Sequence, residues 1–456
     1  MAISNTYPAR IETAQAQTPR RMPCDALLDA WPSQLLFLLI LATIPFYKFR
    51  QIGEQAVLKV DWMLTAALIV WIVAVLLLTK SLPLRLRANF WPLLLLFLVS
   101  NSISTILSPY PEISVGGMTV LLQVIAFIAI SLMMLNGRNI FDTVPWVITG
   151  SIALNSGLAL LGNSFGIEIF IEQGRALGGT ITANNMALMS VFAFPLSVYL
   201  VLYSRGLLAK GIALILLILI LAGLVESGSR GGFVNFIIGF ALLGWHFKSK
   251  LRVHYLGIVF AGIALMLAVF FYTVPQEYWE RQSSLSILTS AVSKDPGHLS
   301  EDRSLERRTA YLVVVKESFF ARPLIGFGTN TFHELWFLSD ESDAFDNVRR
   351  PAHNTYAEIL VGSGVIGLLL FLALLLKVYG NYRKAEHQFS FVQDYRSADL
   401  AAMYRIAFVS VLFYFFVKSG IDHKLFILAI AMSFALLLMS QEQLMRANSL
   451  SKEDRT

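Results

Sequence analysis

Long apolar runs separated by short polar breaks occupy most of this chain. They fall near 31–47, 60–79, 90–107, 113–135, 140–162, 182–203, 206–225, 230–247, 252–274, 353–376, 403–418 and 424–440. Each approaches the ~20 residues that a helix needs to cross a hydrocarbon layer. In lipid a helix satisfies its own backbone, so the pattern predicts an all-α polytopic membrane protein with about twelve transmembrane helices. The polar stretches divide the chain into a tail over 1–30, helices over 31–274, a large loop over 275–352, helices over 353–440 and a second tail over 441–456. Inside the loop, Arg308, Leu312, Val315 and Phe319 recur at helical spacing and predict one face of a helix. Arg322-Pro323 ends that helix, and Gly326, Phe327, Gly328 and Asn330 predict a turn.

Composition agrees. Of 456 residues 56% are hydrophobic and only 14% charged, too few charges for a soluble surface. The net charge of +6 is scattered over loops, with no basic stripe interleaved with aromatics and no nucleic-acid motif. A single cysteine, Cys24, lies in the polar N-terminal tail and excludes an intrachain disulfide or a cysteine metal site. The first 30 residues show no cleavable signal pattern. Lysine and arginine favour one set of short loops by roughly two to one, which puts both termini in the cytoplasm and the loop 275–352 outside.

Four features then share the outer side. Gly174-Arg175-Ala176-Leu177-Gly178-Gly179, followed by Asn184-Asn185, joins the fifth and sixth spans. Glu226-Ser227-Gly228-Ser229-Arg230-Gly231-Gly232 opens the eighth. Arg307-Arg308 heads the loop helix, and His353-Asn354 with Tyr356 and Glu358 opens the tenth span. Several arginines on one face suit a polyanion, because the guanidinium fork matches phosphate oxygens and stays charged in a partly dry site. The glycines around Arg175 and Arg230 would let backbone approach a ligand. A histidine beside them could accept a proton from a hydroxyl. Structural alternatives exist for each: a helix-end anchor for Arg230, a solvated loop charge for Arg175, Arg308 or the Asp422-His423 pair, and an interhelical hydrogen bond for Glu358. Gly362, Gly364 and Gly367 are read as positions for kinking and close packing.

Taken together, Arg175 with its following Asn, Ser229-Arg230-Gly231, Arg308 ahead of Arg322-Pro323-Leu324-Ile325-Gly326-Phe327-Gly328, and His353-Asn354-x-Tyr356-x-Glu358 resemble the superfamily of lipid A core:O-antigen ligases and O-antigen or exopolysaccharide polymerases. The motifs cover about 170–370. Departures are Ala352 between Pro351 and the histidine, Ala357 before Glu358, Gly362 at a frequent second glutamate, and Leu312 at a usual aromatic. The resemblance implies a GT-C-type glycosyltransferase of the bacterial inner membrane with no metal and no cofactor. Its donor would be an undecaprenyl-diphosphate-linked glycan, and its acceptor a glycan or lipid A-core hydroxyl on the periplasmic or exterior side. It also implies diphosphate binding by Arg230 and Arg308 and activation of the acceptor by His353. Arg175, Asn184, Asn185, Ser229, Asn354, Tyr356 and Glu358 complete the expected substrate-binding set. Alternatives are a repeat-unit polymerase within the class and a transporter or flippase outside it. A carrier would place its polar residues near the midplane rather than at one end.

Overall fold

The computed structural model describes residues 23–47, 60–83, 86, 91–172, 175–248 and 303–453. The expected ninth span, loop residues 275–302 and Gly174 lie outside the described residues. The helices, numbered over that part, are α1 Pro23–Leu28, α2 Trp31–Ala42, α3 Val60–Thr79, α4 Trp91–Ile106, α5 Pro111–Met134, α6 Arg138–Phe165, α7 Ala183–Tyr203, α8 Leu207–Glu226 and α9 Arg230–Phe247. They continue with α10 Arg303–Ala321, α11 Phe332–Phe337, α12 Thr355–Phe391, α13 Tyr395–Tyr414 and α14 Lys424–Glu453. Two short strands, β1 Ile171–Glu172 and β2 Arg175–Ala176, form an antiparallel hairpin. Among the described residues eight helices are long and apolar enough to span a bilayer, with α2 and α4 as shorter apolar helices. The all-α polytopic architecture is therefore as expected from the apolar pattern.

Burial orders the bundle. In α7, α13 and α14, 78% of the apolar window is buried, against 17% in α3, so the first three form the centre and α3 the rim. Several helices run past the apolar spans. The eleventh was expected to start near 403, yet α13 begins at Tyr395. Its polar first half holds partners: Arg396 pairs with Asp142 at 2.9 Å, Arg405 with Glu386 at 2.8 Å, and buried Asp399 takes His246 Nε2 at 2.9 Å and the Tyr203 hydroxyl. Paired charges are tolerated in such a helix but hide it from a hydropathy reading. Cys24 lies buried in α1, not in a solvated tail.

The segment after α10 explains its glycines. The turn over 322–330 lies against a break in α12 at Gly364, where φ is 65° and ψ −169°. Phe327 N–H donates to Val361 O at 2.9 Å, Gly328 N–H to Gly362 O at 2.8 Å, and Val365 N–H to Pro323 O at 2.9 Å. The broken helix is thereby re-satisfied by protein, which is the condition for irregular backbone at membrane depth. A side chain at Gly364 would collide with Leu324 O, so this position needs glycine for both conformation and room. The face of α10 differs from the expected stripe. Ala310, Tyr311, Val314 and Val315 are buried, while Leu312 is 55% exposed. Tyr311 wins because it packs edge-on against Trp336, at 4.5 Å between ring centroids, and against Phe332.

Candidate functional site

One end of the bundle gathers the 107–110 turn, the β-hairpin, the α8–α9 turn, α10 to the start of α12, and the 415–423 turn. Arg322 reaches Leu107 O at 2.8 Å, Ser108 Oγ reaches Phe327 O at 2.5 Å, Arg175 reaches Ser227 O at 2.8 Å, and Thr355 Oγ1 reaches Lys418 O at 2.7 Å. All four sequence features therefore converge on this end.

Arg175 sits on β2. Besides Ser227 O, its guanidinium holds Asn184 Oδ1 at 3.0 Å. Ser229 Oγ donates to the same oxygen at 2.9 Å, and Tyr414 OH donates to Asn184 O at 2.9 Å. Ser229 also caps α9, accepting from Gly232 N–H at 3.2 Å. Arg175, Asn184 and Ser229 thus brace one another and fix the start of α9, where Arg230 stands half-buried. Asn185 is tied to Thr182, the cap of α7, through its backbone. Gly231 and Gly232 serve packing: a Cβ on Gly231 would meet Val417 Cγ2 at 2.9 Å, and one on Gly232 would meet Ala187 Cβ at 2.6 Å. Close approach here is to neighbouring segments rather than the expected opening toward a ligand.

His353 occupies the turn before α12 with φ 51°, a left-handed conformation that costs a non-glycine residue on the order of 1 kcal/mol. Neighbours hold it there. Asn354 caps α12 by accepting from Ala357 N–H at 3.1 Å. Thr355 N–H donates to Phe415 O at 2.9 Å. Glu358 Oε1 accepts from Ala352 N–H at 2.8 Å and from Ser419 Oγ at 2.5 Å. These hydrogen bonds clasp two turns together, which is the interhelical role among the alternatives for Glu358. Tyr356 donates to Leu412 O at 2.8 Å and lines an apolar groove of about 650 Å³ between α12 and α13.

The surroundings of His353 are cationic. Burial first, then Arg308, Lys418, Arg307 and Arg350, push its imidazole down to about 4, so it is neutral at physiological pH. The ring centroid lies 6.3 Å from that of Tyr311. Arg307 Nε and Arg350 Nε are buried without a hydrogen bond among the described residues, and the Tyr311 hydroxyl interacts with Arg307. Unsatisfied buried donors are costly and rare. Buried guanidinium donors near a histidine are chemistry suited to an anion. Arg308 connects both halves, since its charge reaches His353, Tyr311 and Tyr414, while Arg175 also reaches Tyr414. Motif reading passes over Tyr414 and Lys418, which no local signal marks, and meets Tyr311 only as the aromatic beside Leu312. The charge of Arg307, beside Arg308 at the head of the loop helix, also reaches the histidine.

Fold and site together define a multi-pass membrane protein with an anion-ready polar centre at one end of the bundle. A family model described as O-antigen ligase matches residues 215–372, from within α8 through Arg230, Arg308 and His353 into α12. The match supports a likeness of that segment to the O-antigen ligase and polymerase superfamily. No curated protein matches the chain.

Proposed function

We propose that this protein is an O-antigen ligase-like glycosyltransferase that moves a glycan from undecaprenyl diphosphate to an acceptor hydroxyl on the outer face of the inner membrane. The observation that carries the reading is a neutral histidine ringed by cations and unsatisfied donors. The acceptor O–H gives its proton to His353 as its oxygen attacks the anomeric carbon. The bond from that carbon to the diphosphate oxygen breaks, with inversion, and the electron pair leaves on undecaprenyl diphosphate. Arg308 and Arg230, with Arg307 and Arg350 nearby, offset the charge growing on the leaving group. A polymerase would use the same donor handle. The family match and the gathering of polar groups at one end both favour an enzyme over a carrier. In proteoliposomes with lipid-linked donor, His353→Gln is expected to lose transfer while still binding donor. It keeps a hydrogen-bonding side chain but cannot take a proton. Near-normal turnover by that variant would overturn the base role.

A further inference from the structure

We infer that a second cavity, beside the His353 turn, is the subsite for an uncharged sugar ring of the acceptor; this rests on the glycosyl-transfer reading above. The cavity holds about 270 Å³ and lies between α4, α5, the start of α12 and the 419–422 turn. Asn101, Asn330, Thr355, Glu358, Ser419 and Asp422 supply its polar wall. Pro351 and Thr355, which bracket His353 in sequence, line it too, so its rim adjoins the proposed base.

Its chemistry is one-sided. Among the described residues no lysine or arginine lines it, in contrast to the surroundings of His353. The hydroxyl protons are already given away: Thr355 to Lys418 O at 2.7 Å and Ser419 to Glu358 at 2.5 Å. Both hydrogen bonds to Glu358 fall on Oε1, which leaves Oε2 without a partner among the described residues. Asn101 is only 5% exposed and donates through Nδ2 to Phe97 O at 2.8 Å, and no described group donates to its Oδ1. What remains for a ligand is the Asn101 amide oxygen, the carboxylates of Glu358 and Asp422 and the Asn330 amide, so acceptors predominate. Such a wall repels phosphate and selects a ligand rich in O–H donors. The donor's diphosphate belongs with the arginines, so this side is left to the acceptor.

The test uses the full-length protein in proteoliposomes, with a lipid-diphosphate-linked glycan as donor and lipid A-core lacking O-chain as acceptor probe. Asn101→Leu and Asp422→Ala are each expected to raise the acceptor KM roughly tenfold, the scale of one lost hydrogen bond to a charged or buried group. The donor KM is expected to stay as in the parent. Asp422 is exposed, so its replacement leaves the fold intact. Arg308→Ala, run alongside, is expected to move the donor KM. A rise in donor KM for the cavity variants would overturn the subsite, as would unchanged acceptor KM in both. An acceptor KM that responds to a chelator would also overturn it, by making the cavity a cation site. Failure of Arg308→Ala to affect the donor would instead count against the diphosphate reading and leave the cavity result legible.

Discussion

If the cations around His353 set its protonation, then removing one must move the acidic limb of the pH–rate profile. Lys418 is the useful choice, because it lowers the histidine more than Arg307 or Arg350 do and is not among the proposed diphosphate ligands. Its structural link to Thr355 runs through the backbone carbonyl, so Lys418→Met keeps that bond. A nearby unit charge in a partly solvated site is worth about one pK unit, roughly 1.4 kcal/mol. The sign follows from the charge. The protonated imidazole is disfavoured by Lys418, so without it the pKa rises from about 4 toward the ordinary 6.5. A base works only when neutral, so kcat/KM of the parent should hold down to about pH 4, and the variant should begin to fail about one unit higher. Lys418→Arg should restore the parent limb. The assay is transfer from lipid-linked donor in proteoliposomes over a pH series, at donor well below KM. A parent limb near 6.5, or identical limbs for parent and Lys418→Met, would refute the electrostatic account.

Arg308→Ala and Arg230→Ala are each expected to reduce kcat/KM by a factor corresponding to roughly 2–4 kcal/mol, with lysine restoring only part, measured at matched protein levels. Glu358→Ala should lower the melting temperature, since it strands Ala352 N–H and Ser419 Oγ at a cost of about 1–3 kcal/mol, whereas Glu358→Gln keeps an acceptor and should cost less. Gly364→Ala should sharply reduce folded protein, as read by size-exclusion profile, because it adds a clash with Leu324 O to a φ of 65°.

Much of this molecule was legible because lipid simplifies the code. Apolar runs located the described spanning helices, and the capping residues Ser229 and Asn354 stood where α9 and α12 begin. Reading failed where polar groups are satisfied by distant partners. Asp399 and Arg396 made the first half of α13 look like a loop, although Tyr203, His246 and Asp142 meet them from other helices. The buried face of α10 was misplaced by one residue, since hydropathy ranks Leu312 above Tyr311 while packing against Trp336 decides the matter. In the candidate site, Arg308 and His353 were recognisable by motif. The roles of Glu358 and Arg175 were not, because a carboxylate or guanidinium looks the same in sequence whether it clasps a turn or meets a ligand.

That difference bears on how the site works. The site gathers four cations around a histidine, with Asp346 3.8 Å from Arg350, Glu358 held by Ala352 and Ser419, and the acceptor-lined cavity beside the turn. Burial and these cations together make His353 a poor base, because a proton there would be desolvated and would add to their positive field. A bound diphosphate reverses the sign of that field. Its charge would offset the arginines and raise the affinity of His353 for a proton at the moment the acceptor must lose one. Base strength would then be supplied by the donor itself, and an acceptor arriving alone, or water, would meet an imidazole too weak to activate it. The consequence is measurable: the acidic limb of kcat, which reports the donor-bound enzyme, should lie above that of kcat/KM. Coincident limbs would mean that the donor's charge does not reach the histidine.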